Sequence, residues 1–302
     1  MGKISLSVLN VLSSMAILLL VAIVPAFGAA GCTSQKETSM PIVLFTDFGS
    51  QDYRVSQLKG IIYSNNRESR LIDGSHSIPA FDIRTGAFML YIAAKEFPQN
   101  TVFVGIIAPY AQPETRYLVL TSDKNQIFVL PDNGLLTYVI KNMGIKTVYQ
   151  ITNQKLFDEP IEQLAAERIQ GKIGALVASG YRTQDVGIPL TSPRILDIQE
   201  PAIVDNKLLG EVVYVDNFGN CVTNISGKTA NEFGVRPGDT IQVRSAGSTI
   251  SAKFGTIYSD VPQGEEIVFV NNNLDMLQLS VNLGKFAEIH DIKAGAKIEI
   301  ER

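Results

Sequence analysis

The sequence predicts an α/β protein in which an N-terminal α/β/α sandwich is followed by a small C-terminal β-barrel. Between residues 41 and 195, apolar strand-like runs alternate with segments of helical periodicity, as in a sheet covered by helices on both faces. Between residues 205 and 302, short β-rich runs follow one another, separated by glycine, asparagine, aspartate or proline, as in a small barrel or sandwich. The chain after residue 31 exceeds the usual domain size of about 100–200 residues, which favours two domains.

Each element of the first domain is justified by its pattern of apolar residues. The predicted strands are short runs rich in valine, isoleucine and leucine, at residues 41–45, 70–72, 101–107, 117–120 and 127–130. The predicted helices have apolar residues every three or four positions, at residues 52–65, 82–97, 134–142 and 160–179. In the second domain we predict strands without helices, at residues 208–215, 240–243, 249–254, 266–270, 276–281 and 297–301. The domain boundary is predicted at residues 194–206.

Residues 1–31 are predicted to be a signal peptide of the lipoprotein type, and residues 32–40 a tether. Lys3 precedes an apolar run, and the small residues before Cys32 resemble a bacterial lipobox, in which the cysteine is lipidated. The alternatives are a secretory signal with an unrelated cysteine, or an uncleaved anchor helix. We therefore expect an exported lipoprotein, anchored to a membrane of the bacterial cell envelope through a lipid on Cys32.

Composition excludes several classes of function. The net charge of −4 gives no basic surface for nucleic acid, and 45% hydrophobic residues suffice for a sizeable core. Cys221 is the only cysteine besides Cys32, so no disulfide framework is expected. Because Cys221 alternates with apolar neighbours, we predict that it is a buried small hydrophobe. With two histidines and this isolated cysteine, we expect no metal site.

Two segments, near the start and in the last third of the chain, combine a carboxylate with an aromatic ring and a glycine. Asp47 and Asp216 offer oxygens to sugar hydroxyls, while Phe48 and Phe218 offer a ring face to a base. Asp47 also follows the first strand, at the sheet edge where α/β proteins bind ligands. This pattern predicts a nucleoside site. Taken alone, however, Asp47 is better explained as the N-cap of a helix that begins near residue 50.

Other motifs are ambiguous on their own. Asp132 and Asn133 lie in a turn ahead of a predicted helix, and either residue could cap it. His76 follows the second predicted strand, and a single histidine at such a position is either structural or part of a site.

Taken together, five motifs in register resemble the S-adenosylmethionine (SAM) hydroxide adenosyltransferases, the superfamily that includes the SAM-dependent halogenases. The motifs are TDFG at 46–49, QLKG at 57–60, IDGSHSIP at 72–79, PDNGLLT at 131–137 and VDNFGN at 215–220. The resemblance spans about residues 41–302.

This resemblance implies a trimer whose site lies between neighbouring subunits, with SAM or adenosine as ligand and no further cofactor. It also implies attack on C5′ of SAM, by water to give adenosine and methionine, or by halide. Since the sulfonium is already a leaving group, the protein mainly orients a desolvated nucleophile in line with the C5′–S bond. Asp47 matches the aspartate that holds the ribose, and Phe81 matches an aromatic position against it. Asp216, Phe218 and Asn220 match residues that hold the nucleoside from the barrel side.

The chain departs from the family in the Asp–Arg–His triad with which hydrolytic members bind the attacking water. Its counterparts are Ala108 for the aspartate, Thr115 for the arginine and Ala165 for the histidine. Arg116 matches a second arginine beside the first. Alanine neither accepts nor donates a hydrogen bond, and losing such positioned groups costs about 10²–10⁴ in rate.

Two further departures concern the nucleophile and the methionine end. Halogenases share the threonine at the Thr115 position but place a serine donor where this chain has Ala166, so halogenation is not expected. Family members place Asn-Ser, sometimes followed by Arg, in the barrel, whereas this chain has three asparagines of which Asn272 is the candidate ligand residue. Amides without a cation favour a ligand simpler than SAM, such as adenosine.

Three hypotheses follow. The first is a nucleoside-binding lipoprotein with little or no turnover of SAM, and export favours it because SAM is made and kept in the cytoplasm. The second is an active SAM hydrolase in which Arg116, Tyr110 or His76 has taken over positioning of the water. The third is an exported structural or adhesion module in which Asp47 and Asp216 only stabilise the fold. The lost triad makes the first hypothesis the preferred one.

Overall fold

The computed structural model describes residues 39–110, 115–245 and 247–302, which form an α/β domain followed by a β-barrel. The predicted signal peptide, Cys32 and most of the predicted tether lie outside the described residues. Ser39 and Met40, the last tether residues, already belong to the folded part, because Ser39 is buried and the Met40 N–H donates to the Ala178 carbonyl. None of the helices in the described part of the chain has the length and apolar character needed to cross a bilayer.

Among the described residues, a seven-stranded sheet forms the middle layer of the first domain. Its strands are β1 (Pro41–Thr46), β2 (Arg70–Ser75), β3 (Val102–Ile106), β4 (Tyr117–Thr121), β5 (Ile127–Pro131), β6 (Thr147–Ile151) and β7 (Gly187–Pro189). The order is β2-β1-β3-β5-β4-β6-β7, and β2, β1, β3 and β5 are parallel. The prediction omits β6 and β7, because β6 is only partly buried and β7 is three residues long.

Helices cover both faces of this sheet, which confirms the predicted sandwich. They are α1 (Tyr53–Asn65), α2 (Ile83–Glu96), α3 (Thr137–Met143) and α4 (Ala166–Ala178). Successive strand residues point to opposite faces. Val43 and Phe45 therefore pack with α2 and α3, while Ile42 and Leu44 pack with α1 and α4.

The helix predicted at residues 160–179 is wrong in its first turn. Ala165 and the residue before it have extended backbone, and α4 begins only at Ala166. In a helix that began earlier, the Ala166 N–H would donate to a carbonyl of the preceding turn. It donates instead to the Tyr110 hydroxyl at 3.0 Å. A tertiary contact that the local periodicity does not contain therefore sets the start of α4.

The second domain is a β-barrel, as predicted. In the described part of the chain, an eight-stranded sheet closes through the pairing of β9 with β10, so that seven strands form the barrel and β8 extends it. The strands are β8 (Ala202–Val204), β9 (Lys207–Val215), β10 (Cys221–Ser226), β11 (Thr240–Ser245), β12 (Ser248–Phe254), β13 (Glu266–Asn271), β14 (Met276–Val281) and β15 (Lys297–Glu301). Cys221 is fully buried, as predicted, and burial raises the pKa of its thiol to about 12.

The expectation of a barrel domain without helices is wrong. Short helices α5 (Gly227–Phe233) and α6 (Phe286–Ile289) interrupt the strands. Helix α5 begins because the Ser226 hydroxyl accepts the Thr229 N–H, and it ends at Gly234, whose φ of 89° is left-handed. Seven residues are too few to give a clear helical periodicity in sequence.

Helix α2 and strand β9 hold the two domains together. Phe88 of α2 stacks on Tyr214 of β9, with ring centroids 5.7 Å apart. The fully buried Glu211 accepts hydrogen bonds from the Arg84 guanidinium at 2.6 Å and the Lys297 ammonium at 2.7 Å. The interface thus combines an aromatic contact with a buried carboxylate that bridges the domains.

Candidate functional site

Asp47 lies at the carboxyl end of β1, where the chain leaves the sheet toward α1. Its Oδ2 accepts two backbone N–H bonds, from Phe81 at 3.0 Å and from Ala108 at 3.1 Å. Both donors have positive φ, 67° and 42°, a conformation that costs about 1–3 kcal/mol outside glycine. Among the described residues, Oδ1 of Asp47 has no hydrogen-bond donor. Asp47 therefore holds two strained loops with one oxygen and leaves the other available.

The alternative explanation of Asp47 as a helix N-cap is wrong. Asp52 caps α1 by accepting the Arg54 N–H at 2.9 Å. Hydrogen bonds from the Arg54 side chain and backbone lower the pKa of Asp52 to about 2. The cap is thus five residues further along the chain, and Asp47 has no part in it.

Two aromatic residues, Phe48 and Phe81, lie next to Asp47 in different ways. Residues 47–52, 77, 78 and 80 line a shallow concavity there. The Phe48 ring is partly buried, and the Arg54 guanidinium lies 4.6 Å above it. The Phe81 ring is 80% exposed and is anchored at its backbone to Asp47. The structure therefore places Phe48 and the backbone of Phe81 next to Asp47.

His76 lies behind Asp47 and supports the loop that carries it. Its Nδ1 is 2.9 Å from the Thr46 hydroxyl, and its Nε2 is 3.1 Å from Asp73 Oδ1. Burial raises the pKa of Asp73, but hydrogen bonds from Lys59 and His76 outweigh burial and bring it below its ordinary value. The His76 carbonyl also accepts the Gly49 N–H at 2.7 Å. These contacts give the buried His76 a structural role.

The predicted triad positions lie around Tyr110. Ala108 is buried beside Asp47, and the Tyr110 hydroxyl accepts the Ala166 N–H, adjacent to Ala165 in the chain. Thr115 and Tyr110 line a common concavity of about 800 Å³. The three predicted triad positions therefore carry two methyl groups and one hydroxyl.

Arg116 is engaged in an ion pair with the buried Asp132. The other Asp132 oxygen accepts the Arg194 N–H at 2.7 Å. The Asn133 amide donates to the Ala108 carbonyl at 3.1 Å. Neither Asp132 nor Asn133 caps α3, whose N-cap position has no side-chain hydrogen bond, so the capping prediction for these residues is wrong.

On the barrel side, Asp216 organises the turn between β9 and β10. Its Oδ1 accepts the backbone N–H groups of Phe218 and Asn220, both at 2.9 Å, and its Oδ2 accepts from the Asn220 amide at 2.8 Å. Gly219 has φ of 77°, and a Cβ there would lie 2.8 Å from Lys285 Cα. The turn thereby presents a Phe218 ring that is 75% exposed. Asp216 shapes this half of the site through its own turn.

A third concavity, of about 510 Å³, opens beside Phe218. Its lining includes Asn220, Tyr258 and residues 281–285. The sequence reasoning missed Tyr258, because a tyrosine in a turn between strands carries no distinguishing local pattern. Asn272 is exposed on the β13–β14 turn and does not line this concavity. Among the described residues, the concavities beside Asp47 and Phe218 share no lining residue.

The fold and these half-sites define a class of protein: an α/β sandwich joined to a β-barrel, with a carboxylate and exposed aromatic rings in each domain. Residues 42–187 match the family model for the SAM hydroxide adenosyltransferase N-terminal domain, and residues 210–299 match that for the C-terminal domain. The chain therefore belongs to the SAM hydroxide adenosyltransferase family, as the five motifs predict.

Individual relatives agree with this assignment. The chain is 30% identical over 209 residues to the (R)-S-adenosyl-L-methionine hydrolase of Methanocaldococcus jannaschii, which covers 67% of this chain and 72% of that protein. It is 25% identical over 292 residues to the fluorinase of Actinoplanes sp., covering 87% of this chain and 98% of that protein. A conserved protein from Thermotoga maritima matches in structure with a TM-score of 0.78 at 30% identity, covering 86% of this chain and 100% of that chain.

Proposed function

We propose that the protein binds an adenine nucleoside, adenosine or SAM, and turns SAM over slowly or not at all. The observation that carries the proposal is that the two carboxylate oxygens of Asp47 have different roles. Oδ2 is occupied by the two loop N–H groups, and Oδ1 remains an acceptor in the concavity that Phe48 also lines. A fixed, charged acceptor next to an aromatic face suits a ribose with its base. The family assignment supports the same ligand class.

Two observations support low turnover. One is the residue types at the predicted triad positions, and the other is that the side chains that could replace the triad are already paired with other groups. Ala108, Thr115 and Ala165 cannot hold water as the charged triad does. Arg116 is paired with Asp132, and His76 is buried against Thr46 and Asp73. Either group would have to give up its partner to reach a water at C5′.

The test is an overnight incubation of the purified full-length protein with SAM, followed by mass spectrometry for adenosine and methionine. Isothermal titration with adenosine measures binding in parallel. We expect adenosine binding together with adenosine release no faster than in a control without protein. Release that depends on the protein and disappears in Asp47→Ala would refute the low-turnover part. Absence of binding by adenosine and by SAM would refute the ligand part.

A second candidate function, slow SAM hydrolysis with a rearranged water site, is favoured by Tyr110. Its hydroxyl oxygen accepts the Ala166 N–H, so its own hydrogen is directed elsewhere. The side chain is 63% exposed and lines the same concavity as Thr115. If Tyr110 positions the water, Tyr110→Phe abolishes any SAM hydrolysis and leaves adenosine binding within about twofold of wild type.

The proposal extends to assembly and location. Because the two half-sites line separate concavities, we propose that a second copy of the chain completes each site, in a homotrimer. Light scattering of the purified protein measures its mass. We also propose export and lipid attachment at Cys32. Incorporation of labelled palmitate into the wild-type protein, absent from Cys32→Ser, would support the anchor, and equal labelling of both would refute it.

A further inference from the structure

A groove of about 490 Å³ lies on the helical surface of the first domain, away from the nucleoside half-sites. It is formed by α1, by α4 and by residues 157–159 of the connection between them and β6, and is called here the α1–α4 groove. Among the described residues, it shares no lining residue with the concavities beside Asp47 and Phe218. Its volume is in the range of about 300–1,000 Å³ that is usual for small-molecule sites. The groove is therefore large enough for a ligand of its own.

Gly60 lies inside α1 and lines this groove. A glycine in a helix interior destabilises the helix relative to alanine, so it needs a reason. At Gly174 of α4 the reason is packing, because a Cβ there would lie 2.5 Å from Val104 Cγ2. A Cβ at Gly60 would meet no atom of the neighbouring described residues within 4 Å. Packing within the described chain thus does not require Gly60, whereas close approach of a bound molecule to α1 would.

Charged side chains of both signs line the groove without pairing with one another. Arg168 and Lys172 lie one turn apart on α4. Asp158 and Glu159 lie on the connection that precedes α4. Among the described residues, none of these four side chains has an ion-pair partner. A ligand of one sign would leave either the cations or the carboxylates unpaired, whereas a zwitterion offers a partner to both.

The groove also has an apolar part and an unused acceptor. Ile61, Phe157 and Leu164 line it, and Phe157 is buried. The Lys172 ammonium lies 5.6 Å from the centroid of the Phe157 ring, which brings a cation next to this apolar part. The Asn65 amide nitrogen donates to the Ile61 carbonyl at 2.8 Å, so the Asn65 Oδ1 remains an acceptor. The lining therefore suits a small molecule with a carboxylate, an ammonium and an apolar side chain.

We propose that the α1–α4 groove binds a free α-amino acid with an apolar side chain. Arg168 and Lys172 hold the carboxylate of the ligand, and Asp158 and Glu159 hold its ammonium. Gly60 lets the ligand lie against the backbone of α1. This site goes beyond the proposed nucleoside function and does not rest on it.

The first test is isothermal titration of the full-length protein with L-leucine, L-methionine and L-phenylalanine. We expect at least one of them to bind with a Kd below about 1 mM. The N-acetyl derivative of that amino acid lacks the ammonium, and its amide lacks the carboxylate. Because each loses charge-assisted hydrogen bonds, both should bind at least about tenfold more weakly. If the parent and both derivatives bound equally, recognition of a zwitterion would be refuted.

The second test removes the charges of one sign at a time. The double variant Arg168→Gln, Lys172→Gln should lose at least about tenfold in affinity and should no longer prefer the amino acid to its amide. The double variant Asp158→Asn, Glu159→Gln should lose as much and should no longer prefer the amino acid to its N-acetyl derivative. Each pair of side chains is thus matched to one group of the ligand, which a general effect on the fold would not reproduce.

The third test fills the groove without destabilising the protein. Because leucine favours a helix more than glycine does, Gly60→Leu should raise Tm by about 1–3 °C. Its side chain would occupy the groove, so amino-acid affinity should fall at least about tenfold while adenosine affinity stays at the wild-type value. Ser56→Leu, at an exposed position of α1 that does not line the groove, is the matched control and should keep wild-type affinity for both ligands.

Three outcomes would overturn the inference. The first is wild type that binds none of the three amino acids at 1 mM, a limit of about 4 kcal/mol in binding free energy. The second is binding that Gly60→Leu and both charge variants leave unchanged, which would place the ligand elsewhere. The third is a lower mass of Gly60→Leu than of wild type by light scattering, which would make the groove a contact between subunits. The double variant Arg67→Gln, Lys228→Gln removes two exposed cations outside the groove and should bind like wild type.

Discussion

Two substitutions of Asp47 should separate its structural role from its ligand role. Asp47→Ala removes the acceptor of two loop N–H groups, while Asp47→Asn keeps one oxygen that can accept both. In Asp47→Asn the amide nitrogen would stand in place of Oδ1, so the charge and the free acceptor facing the ligand are lost. We therefore expect Asp47→Ala to lose stability and both variants to lose affinity for the ligand.

The magnitudes follow from the exposure of each donor. A hydrogen bond to a charged group contributes about 1.5–3 kcal/mol, and the Ala108 N–H, on a buried residue, should lose about 1.5 kcal/mol. The Phe81 N–H is exposed and regains water, so we assign it about 0.5 kcal/mol. Asp47→Ala should thus lose about 2 kcal/mol, or about 4–8 °C in Tm for a chain of this size. Asp47→Asn should lose less than about 1 kcal/mol.

Calorimetric unfolding and adenosine titration check the two roles. We expect Asp47→Asn to bind adenosine at least about tenfold more weakly, a difference of about 1.4 kcal/mol. Wild type should prefer adenosine to 2′,3′-dideoxyadenosine, and Asp47→Asn should lose most of that preference. If Asp47→Asn bound both ligands like wild type, Oδ1 would not contact the ribose. If Asp47→Ala unfolded at the wild-type Tm, the loop clamp would contribute nothing to stability.

Other expectations concern the interface, the buried thiol and the assembly. Glu211→Ala leaves two partly exposed cations without their buried acceptor and should lower the free energy of unfolding by about 2–3 kcal/mol. Glu211→Gln keeps part of the hydrogen bonding, so its loss of unfolding free energy should be about half as large. Denaturant titration measures both variants. In Cys32→Ser, Cys221 is the only thiol, and since burial raises its pKa to about 12 it should react with a thiol reagent only after denaturation. The buried neutral thiol also adds stability that is complete below about pH 9 and is lost as pH rises toward 12; reaction in the native protein at pH 8 would contradict this burial. If each site needs two subunits, mixing Asp47→Ala with Phe218→Ala subunits after co-refolding should restore adenosine binding that neither variant has alone.

The sequence predicts best those elements that are set by local residue pattern or that are uniformly buried along their length. Strands β1, β3 and β5 are buried along nearly their whole length, so an apolar run marks each of them. Strand β6 has two buried and three half-buried positions, and the start of α4 depends on the Tyr110 hydroxyl. Neither cause is visible in a window of the chain.

The same distinction applies to the candidate site. Asp47 and Phe218 lie in motifs whose spacing can be recognised, and the structure places both at open concavities. Tyr258 depends on Gln278, twenty residues away on another strand, and on Asn271 beyond it. The Tyr258 hydroxyl accepts from Gln278, and Gln278 accepts from Asn271, only once the strands have paired.

Asp47 and the predicted triad positions differ in how much the local structure depends on their side chains. Asp47 is needed by the fold, because it holds Phe81 and Ala108 in strained conformations. At position 108 the structure uses the backbone N–H, so an alanine there leaves the loop clamp intact. The loop clamp is thus compatible with alanine at position 108. Under the proposed loss of the triad, the Asp47 motif would mark nucleoside binding, and the side chains at positions 108, 115 and 165 would decide between binding and hydrolysis.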